Sequence, residues 1–233
     1  VVDAFDGIGD LQRKVIKCVN DPEERFTEDA LRMLRAVRFS AQLGFEIEEK
    51  TEKAIKKLAP TLEKISAERI CAELEKLILS DNPDKLIEAY NLGITKVVLP
   101  EFDAMMECKQ DTPYHMYNVG EHTIKVMENV EKTRAMRFAA LLHDVAKPDV
   151  HTFDTRSHFK GHAIAGVEKA NKIMRRLKMD NKTIGLVKRL VACHDDRPVE
   201  HGRSEEKVRR RVHKIGKDIY PLYLQLVNAD FAG

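Results

Sequence analysis

The residues of this 233-residue chain best suited to chemistry lie in its second half: His122, the adjacent pair His143-Asp144, His162, His194 and Asp230. Each falls on or at the end of a segment with helical periodicity. Imidazoles and carboxylates projecting from separate helices into one interior are how helical folds build metal sites, and mixed nitrogen and oxygen ligation suits Mg, Mn, Ni, Fe or Zn. The His143-Asp144 pair resists the ordinary reading of a histidine as a satisfied polar residue. Ala139-Ala140-Leu141-Leu142 before it reads as a buried helical run, and a buried carboxylate needs a compensating partner. His115, His151, His158, His201 and His213 carry no such pattern and are left as ordinary polar residues. Lys147, just past the pair, offers a point charge for a phosphate. A solvated lysine at a helix end accounts for it about equally well.

The first half carries a second constellation, the segment Arg25 to Phe39 with Asp29, Arg32, Arg35 and Arg38. Acidic residues in a first helical turn with arginines further on are ordinary dipole complementation. Asp29 and Arg32 are also i,i+3 neighbours on a helix, which places an acceptor beside a forked donor. Cytosine and adenine present an amino donor next to a ring-nitrogen acceptor, whereas uracil and guanine present a carbonyl next to an N–H, so such a pair fits the first two and repels the others. The segment 203 to 217, with Arg203, Lys207, Arg209, Arg210, Arg211, Lys214 and Lys217, offers a basic face for phosphates. Balance by Glu205, Glu206 and Asp218 on a solvated face is the stronger reading.

The elements that must hold these residues are helices. From Asp21-Pro22 the pattern is helical, with Thr27 as N-cap and Gly44 as a C-terminal stop. Further helices are predicted at about 48–58, 66–80, 83–92, from Pro100, and at about 115–132, 134–144, 158–178, 181–194, 204–215 and 217–231. Leu11 to Ile16 could finish a strand. The fold class is therefore mainly α, with at most a short strand at the N-terminus, and the polar stretch Cys108 to Pro113 is the best boundary. The apolar content of 43% is enough for real cores, while 33% charged residues nearly cancel to a net charge of +2, so bulk charge does not mark a nucleic-acid binder. Cys18, Cys71, Cys108 and Cys193 are scattered without a CxxC pair. They read as lone buried thiols in a reducing, cytoplasmic setting. No apolar run has the length of a membrane span. Val1 opens the chain without a Met and Gly233 closes it just after a helix, so both ends read as cut from a longer chain.

Two family resemblances follow from motifs. Glu121-His122-Thr123, Leu141 to Pro148, Gly161-His162 with Gly166, and Asn228-Ala229-Asp230 resemble the HD superfamily of metal-dependent phosphohydrolases over roughly residues 114 to 231. The resemblance implies that His122, His143, Asp144 and Asp230 hold a core metal, with His143, Asp144 and Lys147 at the catalytic centre. It also implies that His162 and His194 fall where two-metal members ligate a second ion, although Asp195 follows His194 where another His is usual. Residues 3–11 (DAFDGIGDL), 25–45 (RFTEDALRMLRAVRFSAQLGF) and 65–74 (ISAERICAEL) resemble consecutive neck motifs of class II CCA-adding tRNA nucleotidyltransferases and their poly(A) polymerase relatives. Ala4 and Asp6 depart from the usual first motif. This resemblance implies that Asp29 and Arg32 of an EDxxR motif read incoming CTP and ATP and that Arg35 and Arg38 lie near the base or triphosphate. It further implies tRNA and nucleotides as partners, no membrane, and compatibility with a homodimer. The polymerising carboxylates of that family sit on a Gly-Ser strand and turn that these 233 residues do not contain.

The expected organisation is residues 1–25 as the end of a nucleotidyltransferase head with its linker, 26–108 as a helical neck and body, and 109–233 as an HD domain. The expected function is nucleotide selection and acceptor-end binding in CCA addition, with phosphomonoester or 2′,3′-cyclic phosphate hydrolysis at the HD site. A free-standing HD phosphohydrolase with a helical adaptor, or a poly(A) polymerase, is the alternative.

Overall fold

The computed structural model describes residues 3–110, 117–196 and 205–233, so Val1, Pro113, His115, His201 and Arg203 lie outside the described residues. The chain is mainly helical and divides into two compact units, Val1–Asp103 and Ala104–Gly233.

In the first unit α1 (Gly7–Arg13) precedes β1 (Val15–Ile16), α2 (Pro22–Glu28), α3 (Leu31–Leu43), β2 (Glu46–Ile47), α4 (Glu49–Leu58), a 3-10 segment (Ala59–Lys64), α5 (Ala67–Ile78), α6 (Lys85–Asn91) and α7 (Thr95–Val98). Helix α3 is the core element. Met33, Leu34, Val37 and Ala41 are almost fully buried, at the spacing that puts them on one stripe, and α5 and α6 pack against it. Gly44 ends α3 in the left-handed conformation, φ 66°, as a C-terminal glycine does. That turn brings β2 back to pair in parallel with β1.

Two local expectations fail here. Residues Leu11 to Arg13 are helical, leaving a strand of only Val15–Ile16. Thr27 is not the N-cap of the main helix, because Asp21 caps α2 by accepting from the Glu23 and Glu24 N–H groups and Thr27 donates its hydroxyl to the Glu23 carbonyl inside α2.

Helix α8 (Pro100–Glu107) crosses the division, and the second unit continues with α9 (Val119–Glu128), α10 (Arg134–Leu142), α11 (Lys147–Val150), β3 (Thr152–Phe153) and β4 (Ser157–His158), α12 (His162–Arg176), α13 (Asn181–Cys193), α14 (Glu205–Ile215) and α15 (Tyr220–Ala232). Helix α10 is buried along Met136 to Leu142 and packs against α9, α13 and α15. It is the centre of this unit's core. Asn118 starts α9 with a reciprocal capping box to Glu121, which satisfies two of the helix's otherwise unpaired donors. Among the described residues no helix is long and apolar enough to cross a membrane. Cys71, Cys108 and Cys193 are buried thiols, whereas Cys18 is only half-buried.

Candidate metal centre and nucleotide-reading helices

The buried run Ala139 to Leu142 carries the HD pair to the end of α10, where His143 caps the helix and Asp144 opens the following turn. His122 comes from α9, His162 from the start of α12, His194 from the end of α13 and Asp230 from α15. One donor atom each from His122, His143, Asp144 and Asp230 lies within 4.8 Å of the others, and so does one each from Asp144, His162 and His194. Asp144 is common to both groups. Its Oδ2 is 3.1 Å from His143 Nε2 and 3.9 Å from His122 Nε2, while its Oδ1 is 3.3 Å from His162 Nε2 and 3.4 Å from His194 Nε2. His122 Nε2 donates to Asp230 Oδ1 at 2.8 Å.

Three of the rings are held by the main chain. Nδ1 of His143, His162 and His194 lies 2.7, 2.9 and 2.7 Å from the carbonyls of Ala140, Phe159 and Val191. A carbonyl only accepts, so each Nδ1 carries the proton and each Nε2 is directed toward Asp144. That is the tautomer a metal-binding histidine needs. Helix α12 can bring His162 this close because Gly166, one turn on, faces the His143 carbonyl and Val191, leaving no room there for a long side chain.

The donor set fits a cation. His143 Nε2 and both Asp144 oxygens are buried without a well-formed hydrogen bond, an arrangement expensive for a carboxylate unless a positive charge faces it. Burial alone would push the His143 ring down, yet the adjacent Asp144 and Asp230 carboxylates raise it to about 10. Burial would likewise raise both carboxyls; the His143 and Lys147 charges hold Asp144, and hydrogen bonds from His122 and His143 hold Asp230, well below the usual range. The carboxylates thus take up a proton on His143, and a divalent cation would replace that proton.

Lys147 is not the solvated helix-end lysine that its position allowed. It is buried, with Nζ 2.6 Å from Asp144 Oδ2 and donating to Gln110 Oε1 at 2.8 Å. Gln110 had no signal in the sequence. A cavity of about 190 Å³ opens over the cluster, lined by Asp144, Lys147, His162, His194, Asp230 and by Asp195, Val227 and Phe231.

In the first unit Asp29 and Arg32 do not share one helix face. The chain leaves α2 at Glu28, and Asp29 is extended (φ −149°, ψ 101°) before α3 begins. The Asp29 side chain accepts from the Leu31 N–H at 3.2 Å, a local bond that competes with helix continuation, and from Arg69 of α5 at 2.8 Å. Partial burial works to raise its carboxyl, but Arg69 and the Leu31 N–H hold it below its ordinary value. Arg32 instead donates to Glu28 at 2.5 Å and to the Arg25 carbonyl at 2.8 Å. The two residues line neighbouring cavities: Arg32 with Arg25, Arg35 and Phe39, and Asp29 with Lys64 and Arg69. Arg35 is exposed, whereas Arg38 is buried, stacked 3.5 Å over the Phe39 ring and donating to Glu73 at 2.8 Å. Sequence reasoning missed Arg69 and Glu73, although both lie in the motif spanning residues 65–74.

Where it is described, the basic segment is balanced as expected only in part, since Asp218 pairs with Arg189 of α13 instead. Arg209 and Arg210 pair with Glu205 and Glu206 one turn back, and Arg211 and Lys214 with Asp196.

Residues 44–106 match the family described as "Probable RNA and SrmB- binding site of polymerase A", and residues 112–223 match the HD domain family. The CCA-adding enzyme of Pediococcus pentosaceus is 41% identical over 136 residues, 58% of this chain and 33% of that protein. The Multifunctional CCA protein of Neisseria gonorrhoeae is 33% identical over 201 residues, 83% of this chain and 48% of that protein. The chain thus spans half or less of the length of these curated relatives. Among solved structures, the Bacillus stearothermophilus CCA-adding enzyme in complex with CTP covers all of this chain with 50% of its own length, at a TM-score of 0.63 and 24% identity, a likeness of fold. With an RNA-binding segment followed by an HD domain, and a CCA protein aligned along most of its length, the chain belongs to the CCA-adding tRNA nucleotidyltransferase family.

Proposed function

We propose that this chain supplies nucleotide selection and tRNA binding for CCA addition, and that its HD cluster hydrolyses phosphoesters. The observation that carries the reading is the joint presence, in one chain, of the EDxxR segment and of a buried cluster whose four donor atoms lie within 4.8 Å. A stand-alone hydrolase has no use for a base-edge reader.

In the first unit Asp29 offers an acceptor and Arg32 a donor to the amino group and ring nitrogen shared by cytosine and adenine. Reading a base requires Arg32 to exchange Glu28 for the ring nitrogen, while Arg69 keeps the Asp29 carboxylate in place. Arg35, exposed beside the same cavity as Arg32, faces the triphosphate, and buried Arg38 holds the helix through Glu73. Binding to the 233-residue chain, followed by fluorescence or calorimetry, should favour CTP and ATP over UTP and GTP. Asp29→Ala and Arg32→Ala should flatten that preference, and equal binding of all four nucleotides by the native chain would rule out the base-edge role.

In the second unit His122, His143, Asp144 and Asp230 would hold a divalent cation. Bound there, the cation supplies the Lewis acidity that phosphoester hydrolysis needs. Asp144 and Asp230 provide the negative charge, the Nδ1 bonds to the main chain fix the rings, and the small cavity restricts access to a phosphoryl group and its immediate substituent. A second donor set, Asp144 with His162 and His194, lies beside the first. Hydrolysis of a phosphomonoester or a 2′,3′-cyclic phosphate should depend on added metal and disappear in His143→Ala and Asp144→Ala with the circular dichroism unchanged. Metal-independent stability together with no turnover would leave the cluster a purely structural inheritance.

A further inference from the structure

Three carboxylates, Asp144, Asp195 and Asp230, line the cavity over the cluster, which makes its own side chains a poor host for a phosphate. Among the described lining residues Lys147 is the single lysine or arginine, so the placing of one ammonium bears on whether an anion is held there. Its Nζ is paired with Asp144 Oδ2 at 2.6 Å, a contact that leaves Oδ2 without a well-formed hydrogen bond. The well-formed bond goes elsewhere. Lys147 donates to Gln110 Oε1 at 2.8 Å, with the centre of the Phe159 ring 5.2 Å away. Gln110 is buried and stands outside the residues that line the cavity. Its Nε2 donates to the Tyr117 carbonyl at 3.4 Å, which sets the amide with its oxygen toward the lysine. The Cys108 carbonyl, two residues earlier, accepts from the Val119 N–H at 3.0 Å, so the main chain beside the amide is tied to the first turn of α9.

We propose that Gln110 is a positioning residue of the HD centre: it aims the Lys147 ammonium at a phosphoryl oxygen and so sets the affinity for the substrate's phosphate without touching it. The proposal rests on the reading of this centre as one that takes phosphoesters. An ammonium carries three donors on a flexible four-carbon stem, and an ion pair alone does not orient them. A hydrogen bond does. With one donor on the Gln110 oxygen, the directions open to the other two are restricted. The neutrality of the amide matters as much as its reach. A glutamate at position 110 would also accept from the lysine, but it would bring a second carboxylate to the ammonium and cancel the charge an anion needs. The amide fixes the group and leaves its charge to be shared between Asp144 and the incoming phosphate.

Calorimetry with inorganic phosphate in the presence of Mn²⁺ reads the affinity directly, and hydrolysis of a phosphomonoester reads KM and kcat separately. Gln110→Met should weaken phosphate and raise KM about tenfold, the size of a hydrogen bond to a charged group, with kcat nearly unchanged, the pattern of lost ground-state binding. Lys147→Met should weaken phosphate at least as much. Because Gln110 acts through the lysine, adding Gln110→Met to Lys147→Met should weaken phosphate no further. A merely structural Gln110 predicts losses that multiply. Multiplied losses, or native phosphate affinity in a folded Gln110→Met, would overturn the proposal and leave the phosphohydrolase reading standing. Phosphate binding without hydrolysis removes that reading alone, and the calorimetric comparison still decides the role of Gln110. Native protein that neither binds phosphate nor hydrolyses the ester would overturn both. Should Gln110→Met not fold, Gln110→Glu decides: it keeps an acceptor beside the lysine, is expected to weaken phosphate about tenfold, and native affinity in it would overturn the proposal.

Discussion

Arg38 and Glu73 make a buried ion pair at 2.8 Å with both side chains about one-tenth exposed, and removing one partner leaves the other charge without compensation. Glu73→Ala should therefore cost about 3–5 kcal/mol, measurable by urea denaturation, whereas an exposed pair such as Lys53 with Glu49 should change stability negligibly. A loss below about 1 kcal/mol for Glu73→Ala would show that Arg38 finds water or Gln42, to which it also donates. Arg69 acts differently. It touches only the Asp29 carboxylate among the contacts above, at half-exposed positions, so Arg69→Ala should leave stability nearly unchanged and weaken the preference for CTP over UTP by freeing Asp29 to rotate. Unaltered selectivity in Arg69→Ala, with CTP affinity also unaltered, would remove it from the reading of the base.

At the scale of elements, α12 depends on Gly166 for its approach to the HD turn. A Cβ there would meet Val191 Cγ1 at 3.2 Å and the His143 carbonyl at 3.6 Å. Gly166→Ala gains roughly 0.5–1 kcal/mol of helix propensity against that tight contact, so its stability should be close to native. Gly166→Leu has no such offset, and it should lift His162 from Asp144, seen as a changed His162 ring environment by NMR. Helix α13 begins at Asp180, whose side chain accepts from the Thr183 N–H and hydroxyl and from Arg134. The Thr183 bonds hold its carboxyl below the ordinary 3.8. A depressed carboxyl stabilises the fold fully above that ordinary value and loses the contribution as pH falls through the folded value. Asp180→Ala should thus lower the melting temperature at neutral pH, with the gap to the native protein closing below about pH 3.8. A gap independent of pH would mean that the carboxylate's charge contributes nothing.

Most of the helices were legible because apolar periodicity and terminal signals agree, as at Gly44 after α3 and at the buried run before His143. The break at Asp29 was not legible. Residues 22–43 contain no glycine or proline after Pro22, and the interruption arises from a side-chain bond to the Leu31 N–H and an arginine forty residues on. Periodicity carries no trace of either. The histidines of the cluster stood out by type and order, but the burial of Lys147 depends on Gln110, 37 positions away, and a lysine followed by proline reads the same whether it is solvated or enclosed.

For the whole molecule, each unit has its own core, α3 with α5 and α6 in one and α10 with α9, α13 and α15 in the other. Every proposed metal ligand belongs to the second. Ion binding at a hundredfold excess over Kd adds about 2.7 kcal/mol to whatever folds around it, so Mn²⁺ should slow hydrogen exchange across residues 117–196 and 205–233 and leave residues 3–99 at their metal-free rates. Equal slowing in both regions would mean that the two units unfold as one. The acceptors that orient His143, His162 and His194 are main-chain carbonyls, at Ala140, Phe159 and Val191. No codon change can delete a carbonyl. An exhaustive substitution screen for metal retention should therefore yield a sparse map, with severe losses at the ligands and, at positions 140 and 191, sensitivity to size alone; the orienting layer is invisible to genetics because it is written in the backbone.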